Sequence, residues 1–175
     1  NGAADYTICY FDKRLKTTHA HQLAASLVFY SPLQTIFWYD KPSFYHGEPE
    51  MEWFENLQTV FDDTKVLDGA PGKNITMARR KGQEWFVAAM TNNEGSEEEI
   101  PLTFLDKEKN YLACIYTDGG EKIKTSTQVK CTYLLVNASQ TMKFQLKPSG
   151  GAAIRLVPID RQKMKKYKKY KGERL

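Results

Sequence analysis

Among the side chains of this 175-residue chain that could do chemistry, seven glutamates form two clusters. Glu48, Glu50, Glu52 and Glu55 lie where a loop gives way to a helical pattern; Glu97, Glu98 and Glu99 follow Gly95-Ser96 in a turn-like stretch. Two carboxyl groups facing each other across about 5–10 Å can cleave a glycosidic bond, one of them held protonated for the leaving group. Nothing around either cluster suggests such a pair, and the plainer reading of both is a solvated face. His19 and His21 are two residues apart in a helical pattern and so face different sides, whereas helical zinc ligands need i, i+4 spacing. They read as packed or surface histidines, and His46 stands alone in a loop. Cys9, Cys114 and Cys131 are too few and too scattered for a disulfide framework or a zinc site, and read as buried thiols. No nucleophile elbow, phosphate loop or dinucleotide fingerprint is present. Asn74-Ile75-Thr76 and Asn137-Ala138-Ser139 match the short glycosylation acceptor pattern, which is often met by chance. Trp85, Phe86, Tyr111, Tyr116 and Tyr133 would stack on sugar rings if exposed, but alternating strand positions put core packing first.

Two kinds of element must position these groups. Up to Phe61 the periodicity is helical. Ala20, Leu23, Ala24, Leu27 and Val28 make one apolar stripe, with Thr17 or Thr18 as the N-terminal cap. Ser31-Pro32 predicts a second capped helix over Leu33 to Tyr39, apolar nearly all round and therefore in need of neighbours. A third helix is expected from Pro49 to Val60, with Trp53, Phe54, Leu57, Val60 and Phe61 on one face. From Asp62 the pattern turns to short strands with turn residues between them: 65–67, 75–79, 85–91, 99–104, 111–117, 122–129, 131–136, 142–146 and 153–157. Many short strands at near-regular spacing predict an antiparallel β-sandwich or barrel.

Charge divides the chain differently. Residues 161–175 hold eight Lys+Arg and one acid, a net of +7, which leaves the other 160 residues at −3. With no apolar stripe and much like charge, this tail is expected to be disordered or loosely attached. Its cations could meet the phosphates of nucleic acid or of an anionic membrane, and Tyr167 and Tyr170 could add stacking, yet no nucleic-acid fold accompanies it, no nucleic-acid partner is expected, and a floppy solubilising terminus is the plainer reading. No apolar run is long enough to span a membrane.

The strings from Asp5-Tyr6-Thr7 through TTHAHQLAASLVFYSPLQ (Thr17 to Gln34), then GEPEMEWFENLQTVFDDTKVLDG (Gly47 to Gly69) and ARRKGQEWFVAAMTNNE (Ala78 to Glu94), resemble the C-terminal part of glycoside hydrolase family 97. The resemblance runs from about Ala4 to Pro158. It implies an α+β fragment: residues 1–61 as the terminal helices of a (β/α)8 catalytic barrel, residues 62–160 as an antiparallel β-sandwich, and residues 161–175 as the basic tail. It implies a Bacteroidetes-type enzyme of α-glucosidase or α-galactosidase character, acting on α-linked oligosaccharides and placed in the periplasm or at the cell surface. Such an enzyme's catalytic carboxylates, and those binding its calcium, would precede this chain. No catalytic residue, cofactor or metal ligand is therefore expected here, and the expected partner is the rest of the barrel. Asp5 and Tyr6 come just after the expected end of the catalytic region and could line the sugar pocket; a structural loop is the plainer reading. Asn1-Gly2-Ala3 show no signal peptide, and an export signal would sit at the start of the complete enzyme. The role implied is structural support of the barrel, with a carbohydrate-binding sandwich module as the alternative.

Overall fold

Apolar residues run through both faces of β5 (Glu84–Thr91) from Trp85 to Met90, of β7 (Asn110–Asp118) from Tyr111 to Tyr116, and of β10 (Gly151–Pro158) at most positions but Arg155. A strand of that kind must be covered on both faces. In the computed structural model, which describes residues 6–9, 15–29, 31, 33–38, 41–120 and 127–175, these three strands form the middle of a seven-stranded sheet. With β3 (Asp63–Ala70), β4 (Asn74–Lys81), β8 (Val129–Asn137) and β11 (Lys168–Lys169), the strand order is β11-β8-β7-β10-β5-β4-β3. All neighbours are antiparallel except the short β11–β8 pair.

The two faces have different covers. Trp85, Val87 and Ala89 of β5, Tyr111, Ala113 and Ile115 of β7, and Ala152, Ile154 and Leu156 of β10 point to one side. There they meet β6 (Ser96–Pro101) and β9 (Thr141–Leu146), an antiparallel pair that brings Ile100, Met142, Phe144 and Leu146. The chain is thus mostly β-sheet with few helices, built as a sandwich. The opposite residues, Phe86, Ala88, Cys114, Tyr116 and Ala153, meet α1 (His19–Val28) and α2 (Met51–Asn56). The edge strand β3 carries Asp63, Lys65 and Asp68 and has a register break between Val66 and Asp68. Charge and bulging both discourage edge-to-edge pairing.

Three sequence expectations are corrected. The stretch predicted as a helix over Leu33 to Tyr39 contains a strand instead: β2 (Gln34–Phe37) pairs in parallel with β1 (Tyr6–Cys9), from Tyr6↔Gln34 to Cys9↔Phe37. An all-round apolar segment has no periodicity to separate a buried strand from a helix. Ser31 closes a turn rather than a helix, its Oγ accepting from the Leu33 N–H at 3.2 Å. The third helix is shorter than expected; α2 ends at Asn56, and Val60 is exposed.

The tail is folded, not disordered. After α3 (Arg161–Met164), β11 adds to β8, and Tyr170 is only 3% exposed. The Tyr170 hydroxyl accepts from the Lys143 N–H at 3.0 Å and donates to the Glu173 carbonyl at 2.8 Å. Leu175 exchanges backbone bonds with Lys143 and Gln145 of β9. The tail therefore spans the edges of both sheets. One buried ring and a few backbone bonds hold a segment whose composition alone predicts mobility. Of the predicted strand over 122–129, residues 122–126 lie outside those described.

Candidate functional site at the junction of helices and sheet

Two sets of contacts fix the helical segment to the sheet. The first is aromatic. Trp53 of α2 is fully buried, edge-on to Phe86 at 5.8 Å and to Tyr116 at 6.0 Å between ring centres. Its indole N–H donates to Ser26 Oγ of α1 at 2.9 Å, so one polar atom is satisfied without leaving the core. Trp38, just after β2, is edge-on to His19 and Phe54 at 5.7 and 5.0 Å. Its N–H donates to Glu50 Oε1 at 3.3 Å, and the Thr127 side chain also hydrogen-bonds Glu50.

The reading of Glu48, Glu50, Glu52 and Glu55 as a solvated face is corrected in part. Glu55 is exposed and Glu52 half-buried, but Glu48 is 2% exposed and Glu50 not at all. Glu48 Oε2 accepts from the His46 N–H at 2.8 Å. Burial raises the Glu50 pKa, aided by the nearby Glu48 charge and opposed by the hydrogen bonds from Thr127, its own backbone and Trp38. Glu50 Oε2 has no hydrogen-bond partner among the described residues. A carboxyl group with no exposed surface cannot reach a substrate, so its effect is on stability.

The second set is a polar latch. Thr18 caps α1 by accepting from the His21 N–H at 3.1 Å, as the sequence predicts. Its own N–H donates to the carbonyl of Ser149, a residue held at φ +53°, in the left-handed region that non-glycine residues rarely adopt. His21 Nδ1 lies 3.1 Å from the Gly150 carbonyl. Asp118 accepts from the Thr18 side chain and the Gly151 N–H. Burial raises its pKa against those bonds and the attraction of Lys147. Burial also lowers the pKa of His21, against its bond to Gly150 and the charge of Asp118. At Gly151 the helix touches the strand: a Cβ there would lie 2.7 Å from His21 Cα and 3.0 Å from the Ala89 carbonyl oxygen. At the other end of α1, Arg79 (5% exposed) donates to the Val28 carbonyl at 3.3 Å, a cation where the helix dipole is negative.

The remaining sequence candidates are dispersed. Asp5 lies outside the described residues; Tyr6 is placed by its backbone in β1. Trp85, Phe86, Tyr111 and Tyr116 are all at most 5% exposed and cannot stack on a sugar. Tyr133 is 37% exposed, but its hydroxyl donates to Glu52 at 2.7 Å. Cys114 is buried and Cys131 half-buried; both thiols are free and pushed up to about 12, chiefly by burial. The side chain of Cys9 lies outside the described residues. Among those residues, no group of three or more His, Cys, Asp or Glu side chains could hold a metal ion.

Glu98 likewise departs from the solvated reading given to Glu97, Glu98 and Glu99. It is 3% exposed and accepts from Asn74, Thr76 and Ser96 at 3.0, 3.1 and 2.7 Å, tying β4 to β6. Its signal was in the sequence: Glu98 shares the parity of Ile100 and so points inward. Glu97 and Glu99 are exposed and pair with Arg174 and Lys143.

Fold and junction together define a β-sandwich that carries helical chain on one face. The chain matches the family model described as "Glycosyl-hydrolase 97 C-terminal, oligomerisation" over residues 60–157, and it belongs to that family. It is 34% identical over 153 residues to a retaining alpha-galactosidase of Bacteroides thetaiotaomicron, a match covering 87% of this chain and 23% of the relative. It is similar in structure to a glycoside hydrolase family 97 enzyme of a Pseudoalteromonas species solved with acarbose. That match has a TM-score of 0.80 and 32% identity, over 91% of this chain and 27% of the other. A beta-arabinopyranosidase shares the fold at a TM-score of 0.69 and 24% identity, over 88% of this chain and 25% of the other. The chain thus spans about a quarter of the length of these proteins and corresponds to their C-terminal part.

Proposed function

We propose that this chain is the C-terminal accessory region of an exo-acting α-glycoside hydrolase, supporting a (β/α)8 barrel without itself being catalytic. In this reading β1, α1, β2 and α2 are the last β/α elements of the barrel. The observation that carries it is the parallel β1–α1–β2 unit, clamped by α1 to the outer face of the sandwich. A two-stranded parallel sheet is rarely stable alone, which fits a unit completed by further barrel strands. Phe29, Leu33 and Ile36, at 46%, 67% and 41% exposed, provide apolar surface for such neighbours. The relative named a retaining alpha-galactosidase supports an α-glycosidic substrate. The acid, the base and the carboxylates that would hold calcium then lie upstream, and the complete enzyme acts in the periplasm or at the cell surface.

The test is Gly151→Val in the complete enzyme, which drives a branched side chain into α1. If the sandwich buttresses the barrel, the substitution lowers the melting temperature and the half-life of glycosidase activity on heating. Unchanged values for both would overturn the reading.

A further inference from the structure

The segment after the family match concentrates positive charge, a net of +7 over residues 161–175. All eight basic residues of the tail are exposed, and Arg174 alone of them forms an ion pair among the described residues, with Glu97. Arg161, Lys163, Lys165, Lys166, Lys168, Lys169 and Lys171 are exposed and have no ion-pair partner among the described residues. The acids of this stretch offset little. Asp160 sits at the N-cap of α3, and Glu173 is occupied locally, its Oε2 accepting from the Lys171 N–H at 2.8 Å. The charges are also held in place, because Tyr170 is buried and β11 is paired with β8. Fixing this many like charges side by side opposes folding. The chain nonetheless anchors them to its own core.

We propose that this folded tail docks on an anionic phospholipid surface. Three observations favour lipid over nucleic acid. The seven free cations are six lysines and one arginine, point charges suited to a diffuse field of headgroups rather than to fork-shaped recognition. Little aromatic surface is presented for base stacking, since Tyr170 is buried and Tyr167 is half-buried. Tyr167 instead lines a notch of about 250 Å³ of mixed character, with Leu112 and Val157 beside Lys163, Lys166 and the acid Asp160. Aliphatic surface beside lysines matches the boundary between headgroups and acyl chains. The remaining 160 residues carry −3, so within this chain the tail is the part that such a surface attracts. This inference does not depend on the barrel-support reading.

The experiment is co-sedimentation of the complete protein with phosphatidylcholine vesicles, with and without phosphatidylglycerol. Binding is expected only when phosphatidylglycerol is present, and should fall at least about tenfold on raising salt to roughly 0.5 M. Replacing Lys165, Lys166, Lys168 and Lys169 together by glutamate should abolish binding. The same four positions changed to glutamine, checked for an unchanged melting temperature, should weaken it at least about tenfold. Equal binding to neutral vesicles, binding that survives in the folded glutamine variant, or tighter binding to duplex DNA at the same salt would each overturn the proposal.

Discussion

On one face of the central sheet the core is closed; on the other it is open at its margin. Against β6 and β9, buried apolar residues are joined by only three partly buried ones, and the one buried acid, Glu98, accepts three hydrogen bonds. Against α1 and α2, the buried cluster is ringed by eight partly buried apolar residues. Glu50 Oε2 and the Tyr116 hydroxyl are left without partners among the described residues. Burying polar atoms costs free energy unless they are hydrogen-bonded. Among the described residues, the first face satisfies its buried acid, and the second leaves polar atoms unmet, which is the difference the proposed barrel contact would account for.

The largest effect should separate the two faces. Trp53→Ala removes the ring that joins both helices to Phe86 and Tyr116, and should cost about 4 kcal/mol. If the faces differ as described, amide exchange will speed up in α1 while β5, β7 and β10 keep their protection. Loss of protection across the sheet at the same time would show that the two faces are one cooperative unit. A smaller effect is expected on the closed face. Glu98→Ala leaves Asn74, Thr76 and Ser96 short of their shared acceptor, and should cost roughly 2 kcal/mol by chemical denaturation. A change near zero would mean that the tie between β4 and β6 is not needed.

The smallest effect concerns Glu50 and depends on pH. Its folded pKa is raised, so the folded state holds the proton more tightly than the unfolded state does. Stability from this group is thus greatest below the ordinary glutamate value of about 4.3 and falls as pH rises from there through the raised value. Glu50→Gln cannot ionise and escapes that loss. Calorimetry should show the variant gaining on the wild type between about pH 4 and pH 7. A melting-temperature difference that is the same at both ends would contradict the assignment. Asp118, also raised by burial, acts in the same direction in both proteins and cancels from the comparison.

Much of this structure was legible in the residues. The spacing of Ala20, Leu23, Ala24 and Leu27, with Thr18 ahead of them, determined α1 and its cap, because one apolar stripe can be buried in only one way. Period-2 alternation with turn residues between runs determined eight strands of the sandwich, and the order of the sequence strings determined the family. Tertiary structure decided the rest. Gln34 to Phe37 became a strand because β1 lay alongside to pair with it. Glu50 went inside with Trp38 and Thr127 as hydrogen-bond partners, through contacts far apart in sequence. The tail folded because Tyr170 found a place in a core made by other strands. Local pattern shows which side chains need burial, but only the assembled fold shows what is available to bury them.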